Sequence, residues 1–262
     1  MLVTSPEERE RLAAVFGQPG VAHAYRHRPP YPDELFDLLE RLITDAPRTV
    51  LDIGAGEGAL ARPLASRVDH VDAVDASAAM VEAGRGRPGG RRHNLRWVVG
   101  AAETVGLGGP YALVTAGASL HWMPWKTTLA RLIAVMGPNA FLAVVEHGHA
   151  DLPWGAELTE VITRHSRSPG HDPGFSLVDA LAAGGLLEIT GRAVTAPVPF
   201  RQPLASYVEH FHSTASLARE GMPGDESAAF DRAVTDVVAP YAGGGVLEMT
   251  VVAHVTWGRP VP

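Results

Sequence analysis

Short apolar runs alternate with amphipathic stretches along most of this chain. Runs rich in β-branched residues predict strands at Thr49–Ile53, His70–Val74, Leu95–Val99, Ala112–Ala116 and Ala140–Glu146. Between them, apolar residues at helical spacing predict helices at Ala59–Arg67, Ala78–Gly84 and Trp125–Val135. Because the strands are almost continuously apolar, both faces of their sheet should be covered. The pattern therefore predicts an α/β fold with a mostly parallel sheet.

Further elements flank this region. Asp33–Thr44 places its leucines on one helical face, and later patterns predict helices and strands at Ala156–His165, Leu186–Val194, Leu204–Arg219, Glu226–Val238 and Leu247–Trp257. Proline-rich Ala196–Pro203 and glycine-rich Gly243–Gly245 bracket the last two helices. We expect one domain, in which residues 1–45 form an N-terminal element, 46–195 and 246–262 form the core sheet and helices, and 196–245 form a helical lid insertion.

Composition narrows the classes of function. The formal charge is 22 − 29 = −7, so nucleic acid is disfavoured as a partner. There is no cysteine, which excludes disulfides, thiolate metal sites and thiol nucleophiles. Met1–Glu10 is polar and acidic, unlike a signal peptide, and no apolar run approaches the roughly 20 residues needed to span a bilayer. We expect a soluble, cytoplasmic protein, monomeric or homodimeric.

A glycine-rich turn joins the first predicted strand to a helix. Val50–Leu60 reads VLDIGAGEGAL, with glycines at Gly54, Gly56 and Gly58. Glycines let the backbone turn sharply and approach a ligand closely. Asp75 ends the next predicted strand, 21 residues after Gly54, where its carboxylate could accept hydrogen bonds from both ribose hydroxyls. The spacing indicates a nucleoside-containing ligand.

Acidic residues near the glycine turn help to distinguish between two nucleoside-containing ligands. The Gly-x-Gly-x-x-Ala form would suit NAD, but Asp52 ends the strand and Glu57 lies in the turn itself. Two carboxylates should repel a pyrophosphate, whereas they suit a ligand with a cationic amino-acid end. S-adenosylmethionine (SAM) has such an end.

The motifs together resemble those of the class I SAM-dependent methyltransferases. The glycine turn, Val71–Val81 (VDAVDASAAMV), Val99–Leu107 and Ala112–Pro124 are similar to four family motifs in order. The resemblance implies a Rossmann-like, seven-stranded, mostly parallel sheet with an antiparallel last strand. It also implies a set of cofactor-binding positions, with Asp75 at the ribose and Ala76 and Met80 at the adenine: Asp52, Gly54, Gly56, Gly58, Asp75, Ala76, Met80, Ala102, Glu103 and Ala118.

Two features resemble the trans-aconitate-type subgroup of small-molecule methyltransferases. One is the Tyr-x-x-x-Arg-Pro-x-Tyr-Pro element from Tyr25 to Pro32, and the other is the pair His121–Trp122. The resemblance implies that residues 1–45 cover the cofactor and that Tyr25 contacts it. It also implies that Arg28 and Tyr31 face the acceptor or the cofactor, and we nominate both as substrate-binding. The same prolines could also serve as the lead-in to a helix beginning at Asp33.

Histidines near strand ends are candidates for chemistry. Methyl transfer needs a general base only if the acceptor must lose a proton. His121 follows the fourth strand, and His147 and His149 end the fifth, at the edge where open α/β sheets bind ligands. We nominate His121 and His147 as catalytic and His149 as substrate-binding. Two histidines without a third ligand do not make a metal site, so no metal is expected.

The remaining candidates concern the acceptor. Trp122 and Phe211 could form apolar walls for an aromatic acceptor, whereas Arg28 and Arg201 would suit a carboxylate. His210 and His212 have a spacing typical of a helical core. His254 lies inside the last predicted strand and is expected to be a core residue, and the other histidines, including His171, are expected to be structural or solvated.

We predict SAM-dependent methyl transfer to a small molecule at oxygen or carbon, as in specialised metabolism, with S-adenosylhomocysteine (SAH) as product. The alternatives are a SAM-binding protein with non-methylating chemistry, a nucleic-acid or protein methyltransferase, and an NAD-dependent oxidoreductase.

Overall fold

The computed structural model describes residues 11, 14–167 and 175–262. The expectations for Met1–Glu10 and His171 lie outside these residues.

Within the described residues the chain forms eight strands. The central path runs in the order β3-β2-β1-β4-β5-β8-β6, and β7 pairs with β8. Neighbours from β3 to β5 are parallel, whereas β8 is antiparallel to both β6 and β7. The strands are β1 (Thr49–Ile53), β2 (His70–Asp75), β3 (Leu95–Val99), β4 (Tyr111–Gly117), β5 (Met136–His149), β6 (Leu187–Val194), β7 (Val198–Pro203) and β8 (Val246–Pro260).

Nine α-helices are found in the same part of the chain, together with short 3-10 turns. None of them has the length and apolar character needed to cross a bilayer. The helices are α1 (Pro19–Tyr25), α2 (Asp33–Arg41), α3 (Ala61–Leu64), α4 (Ala78–Gly86), α5 (Trp125–Val135), α6 (Gly155–His165), α7 (Leu177–Ala183), α8 (Leu204–Phe211) and α9 (Gly224–Val238).

The chain groups into two compact units. The sheet unit comprises Tyr31–Gly148, Ser176–Ala196 and Val252–Pro262, and the helical unit comprises Met1–Pro30, His149–Phe175 and Pro197–Val251. Compared with the predicted boundaries, the helical unit also takes in His149–Phe175, and α2 belongs to the sheet unit. The covering role of residues 1–45 and the lid role of 196–245 stay predictions.

Each unit has its own apolar core. In the sheet unit, the buried face of α2 at Leu35 and Leu39 packs with the inner strands, and β4 is buried along six of its seven residues. This burial explains the uninterrupted apolar sequence of the central strands. In the helical unit, Trp154, Tyr207 and Phe230 are fully buried with residues of α6, α8 and α9.

The predicted α/β architecture is confirmed, and the departures have local causes. The helix expected over Leu204–Arg219 ends at Phe211, because the Ser213 and Thr214 hydroxyls donate to the carbonyls of His210 and Phe211 and the chain turns there. β7 was not expected as a strand, since two of its six residues are proline. Proline is tolerated in a strand whose N–H groups are not all needed by a neighbour.

Candidate active site

The glycine turn after β1 needs its glycines. Gly54, Gly56 and Gly58 have φ values of +60°, +57° and +78°, a region that disfavours side chains. A Cβ on Gly54 would lie 2.4 Å from the Cβ of Ser119, and one on Gly58 would lie 2.6 Å from the Trp97 ring. The turn is therefore packed tightly against residues that follow β4 and residues of β3.

Asp75 lies where the sequence predicts it, at the end of β2. Its Oδ2 accepts from the Gly56 N–H at 2.7 Å and its Oδ1 accepts from the Ser77 N–H at 2.8 Å. Burial raises the pKa of Asp75, while the two amides act in the opposite direction by favouring the charged form. Since each carboxylate oxygen can accept more than one hydrogen bond, capacity remains for a ribose diol.

Asp52 is buried at the end of β1. Its Oδ1 accepts from the Thr115 hydroxyl at 2.8 Å. Burial raises the pKa of this carboxyl to about 7, with the Asp75 charge adding to the shift and the Thr115 hydroxyl opposing it. Asp52 therefore changes protonation near neutral pH, and a nearby cation would favour its charged form.

The Glu57 carboxylate is paired, which changes one argument made from the sequence. Its Oε2 accepts from Arg87 at 2.9 Å through Nε and 2.6 Å through Nη2, and Arg62 lies 3.9 Å from Oε1. Because these arginines offset its charge, Glu57 gives little reason to exclude a pyrophosphate. Among the groups of this site, Asp52 is therefore the carboxylate that favours SAM over NAD.

The segments assigned to the adenine lie beside Asp75. The Gly100 N–H donates to the Asp75 carbonyl at 2.9 Å, which ties the loop after β3 to the end of β2. Ala102 and Met80 are buried, Glu103 is half-buried, and Ala76 is exposed. Their contacts with adenine stay predictions.

The chain after β4 comes close to the glycine turn. Ala118 has φ of +47°, uncommon for a residue with a side chain, and its N–H donates to the Val145 carbonyl at 2.8 Å. The Ser119 hydroxyl donates to the Ile53 carbonyl at 2.7 Å. Strained backbone of this kind is typical of functional sites. Sequence analysis did not single out Ser119, although it follows Ala118 directly.

His121 and Trp122 lie in the 3-10 turn that follows. Both are half-buried, and their ring centroids are 4.6 Å apart at an angle of 49°. The pair is thus held together on the segment that also carries Ala118.

Tyr31 and His147 are far apart in sequence but stack in the sheet unit. Their ring centroids are 3.7 Å apart and the planes differ by 6°. A Cβ on Gly117, at the end of β4, would lie 3.2 Å from the Tyr31 hydroxyl. Tyr31 therefore lies at the carboxyl end of the sheet, beside β4 and β5, where the sequence placed the acceptor.

Tyr25 and Arg28 meet within the helical unit. The Arg28 guanidinium lies 4.1 Å from the centre of the Tyr25 ring, donates from Nε to the Ser213 hydroxyl at 2.7 Å, and donates from Nη2 to the Ser213 carbonyl at 3.1 Å. Ser213, on the turn after α8, is a partner that sequence spacing gave no means of finding. These contacts hold the half-buried guanidinium in one orientation.

Two histidines of the helical unit, His149 and His210, have lowered pKa values. His149 Nδ1 lies 3.0 Å from the Thr250 carbonyl, and burial lowers the pKa of His149. Burial also lowers the pKa of His210 to about 3, and Arg28, His149 and His27 push it in the same direction. Burial therefore favours the neutral form of both His149 and His210.

Phe211 lies in the core of the helical unit. It is buried, and the centroid of its ring lies 4.0 Å from that of His210 and 5.4 Å from that of Tyr207. A wall role for Phe211 remains a prediction, but its main contacts are with other core rings. His254 is exposed on β8, which contradicts the expectation of a core position.

Metal ligands are not gathered in the described part of the chain. There, no three histidine, aspartate or glutamate side chains form a group that could hold a metal ion. Arg201, considered for a carboxylate, is exposed and pairs with Glu248 at 3.1 Å.

The match to a family model lies within the sheet unit. Residues 50–139 match the methyltransferase domain family. The chain is 33% identical over 171 residues to the trans-aconitate 2-methyltransferase of Rhodococcus jostii strain RHA1, an alignment that covers 62% of this chain and 64% of that protein. The chain thus spans less than two thirds of the length of this curated relative.

Solved structures share the fold over nearly the whole chain. A candidate type II methyltransferase from Anaeromyxobacter dehalogenans has a TM-score of 0.64 at 21% identity, covering 88% of this chain and 97% of that one. A SAM-dependent methyltransferase from Geobacter sulfurreducens, crystallised with SAH, has a TM-score of 0.56 at 15% identity, covering 96% and 98%.

Proposed function

Because this chain belongs to the class I SAM-dependent methyltransferase family, we propose that it binds SAM and transfers the methyl group to a small-molecule acceptor. The observation that carries the cofactor assignment is Asp75, whose carboxylate joins the end of β2 to the glycine turn through Gly56. In this proposal Asp75 binds the ribose, and Asp52 provides negative charge for the ammonium end of SAM. Ala76, Met80, Ala102, Glu103 and Ala118 bind the adenine and methionine portions.

The proposed acceptor is a carboxylate, methylated on oxygen. Arg28 supports this choice, because its guanidinium is half-buried, is fixed by Ser213, and has no ion pair with an acid among the described residues. A guanidinium in this setting favours a planar anion that accepts two hydrogen bonds. The name of the Rhodococcus relative specifies trans-aconitate, which is itself a polycarboxylate.

The chemistry of such a transfer is an in-line displacement. A carboxylate oxygen attacks the methyl carbon, the O–C bond forms as the S–C bond breaks, and the electron pair of the broken bond stays on sulfur. The acceptor anion and the sulfonium cation become a neutral ester and a thioether, so no proton has to be removed. His121 and His147 would then act by contacting and orienting the acceptor, with Tyr31 and Trp122 completing its surroundings. The assignment of His149 to the acceptor stays a prediction.

Product analysis tests this proposal. The protein is incubated with SAM that carries a ¹³C-methyl group and with a panel of acids, trans-aconitate first, and of phenols of similar size. We expect a labelled product that releases methanol in alkali, as an ester does. An alkali-stable labelled product would overturn the choice of oxygen in a carboxylate. Bound but unconsumed SAM with every acceptor would favour the non-methylating alternative.

Arg28 gives a sharper test with a control two residues away. Arg28→Gln should raise the KM for a carboxylate acceptor at least about tenfold, because a charge-assisted pair is worth roughly 1.5–3 kcal/mol, and it should leave SAH affinity unchanged. Arg26→Gln removes the same charge from an exposed neighbour and should change neither value. Equal KM values in the two variants would remove Arg28 from the acceptor site.

A further inference from the structure

The sheet unit carries an open basic groove on the loop between α4 and β3. It has a volume of about 510 Å³ and is lined mainly by the arginines of residues 85–92 and the glycines and proline between them. We call it the arginine groove. Its loop leads into the amino end of β3, whereas the glycine turn follows β1 and Asp75 ends β2. The groove therefore shares no lining residue with the proposed cofactor site.

The charge of the groove is opposite to that of the molecule. Residues 85–92 contain four arginines and no acid, in a chain with a net charge of −7. Arg91 and Arg92 are exposed, and neither makes an ion pair with any carboxylate in the described residues. Arg85 is only loosely paired, with Glu82 at 3.8 Å. Concentrated unpaired positive charge is unfavourable unless an anion offsets it.

The backbone beneath these arginines is closely packed. The Trp97 Nε1–H donates to the Gly90 carbonyl at 2.8 Å, and the Arg62 Nη1–H donates to the Pro88 carbonyl at 3.1 Å. A Cβ on Gly90 would lie 2.0 Å from the Gly84 carbonyl oxygen, so only glycine fits there. The loop therefore presents its arginines from a fixed base, which lowers the entropy lost on binding.

We propose that the arginine groove binds a compact phosphate compound with two or more phosphate charges. Guanidinium groups match phosphate oxygens in geometry and in charge. The volume is that of a small-molecule site rather than of a track for a long polymer. The acidic remainder of the chain opposes nucleic acid, whose backbone would extend beyond the groove.

The groove is linked to the glycine turn by one side chain. Arg87 lines the groove and also holds the Glu57 carboxylate with two hydrogen bonds. A phosphate group that competes for this guanidinium would weaken the pair and remove a contact that fixes the position of the glycine turn. Since the turn binds cofactor in the proposed function, on which this step rests, phosphate binding should weaken SAH binding.

Calorimetric titration with inorganic pyrophosphate tests the site without cofactor. We expect saturable binding to the full chain that the double variant Arg91→Gln/Arg92→Gln weakens by at least about tenfold, as the loss of two charge-assisted contacts requires. The double variant Arg41→Gln/Arg164→Gln removes the same charge from exposed positions elsewhere and should bind as the unmodified chain does.

Three results would overturn the site. They are absence of saturable pyrophosphate binding, equal loss in the two double variants, and a single-stranded oligonucleotide that binds more tightly than pyrophosphate and loses affinity in the same groove variant. The last result would assign the groove to nucleic acid.

The link to the glycine turn is tested by titrating SAH with and without saturating pyrophosphate. We expect pyrophosphate to weaken SAH binding about fivefold or more in the unmodified chain, and to have no effect in Arg91→Gln/Arg92→Gln. Unchanged SAH affinity would overturn the proposed effect of pyrophosphate on the glycine turn. It would not affect the proposal that the arginine groove binds phosphate. Failure of SAH to bind even without pyrophosphate would instead count against the proposed cofactor.

Discussion

Asp75 combines two tasks that one substitution would remove together. Asp75→Ala takes away the proposed ribose acceptor, so SAH binding should weaken by about 1–3 kcal/mol. It also leaves the Gly56 and Ser77 amides without their acceptor, so the free energy of unfolding should fall. Calorimetry and urea unfolding measure the two effects. Asp69→Ala is the control, because Asp69 accepts one amide, from Arg48 at 2.8 Å, but lies before β2.

Replacing His121 tests whether its imidazole takes part in the reaction. His121→Ala should lower kcat by about tenfold to a hundredfold if the imidazole orients the acceptor, while SAH affinity remains nearly unchanged. His254→Ala, at an exposed position on β8, should alter neither. Steady-state rates over pH 6–9 add a second readout. If turnover of the unmodified protein fell with a single pKa as the pH is lowered, and turnover of the variant did not, His121 would act as a general base. That result would contradict an acceptor that is already ionised.

Helix α4 packs closely against β3 because position 84 is a glycine and has no side chain. A Cβ on Gly84 would lie 2.3 Å from the Trp97 ring and 2.9 Å from the Glu57 carbonyl oxygen. Gly84→Ala should therefore destabilise the chain by about 1–3 kcal/mol, as overpacked cores do. Gly86→Ala lies on the same helix with nothing within 4 Å, and should be neutral or slightly stabilising. Equal midpoints of urea unfolding for the two variants would contradict this prediction, because they would show that Trp97 moves to make room for the added methyl group.

The sequence predicted elements well where burial is continuous. The central strands and α5 lie within a few residues of their predicted bounds, because apolar periodicity reports burial directly. The short helix α1 and the strand β7 were not predicted. Each contains proline near its start, and each owes its place to neighbours that are distant in sequence, such as Gln202, which donates to the His27 carbonyl at 2.6 Å.

Some features of the candidate site could be predicted from the sequence, and others could not. Asp75 and the glycine turn could be placed from spacing, because local backbone geometry requires those residues. The stack of Tyr31 on His147, the fixing of Arg28 by Ser213, and the pairing of Glu57 with Arg87 could not. Each joins segments that meet only after folding, and no periodicity reports which partners will meet.

For the whole molecule, two buried groups give opposite dependences of stability on pH. Asp52, with its pKa raised to about 7, keeps a proton in the native state that the unfolded chain loses near pH 4, so stability falls as pH rises through this window. His210, with its pKa lowered to about 3, stays neutral while the unfolded chain takes up a proton below about pH 6.5. Its contribution rises with pH over that range. Each effect amounts to about 4–5 kcal/mol at most, so the two largely offset one another between pH 4 and 6.5.

Single substitutions should uncover the separate slopes. Asp52→Asn should make stability rise with pH up to about 6.5 and exceed that of the unmodified chain at pH 8. His210→Gln should make stability fall from pH 4 to 7. Urea unfolding at several pH values measures both, and Asp75 and His149 should add smaller contributions of the same signs as Asp52 and His210, respectively. A slope unchanged by Asp52→Asn would place the native proton on another group.

The contact between Gly84 and Trp97 also bears on how this sequence can diverge. Because the indole occupies the space that a Cβ at position 84 would need, the two positions are not independent in evolution. Lineages that keep tryptophan at position 97 should keep glycine at position 84, and those that acquire alanine or a larger residue at 84 should already carry a smaller side chain at 97. The order of substitution matters, since the opposite order passes through an overpacked intermediate. A phylogeny of close relatives should therefore show the loss of the ring preceding the gain of the methyl group.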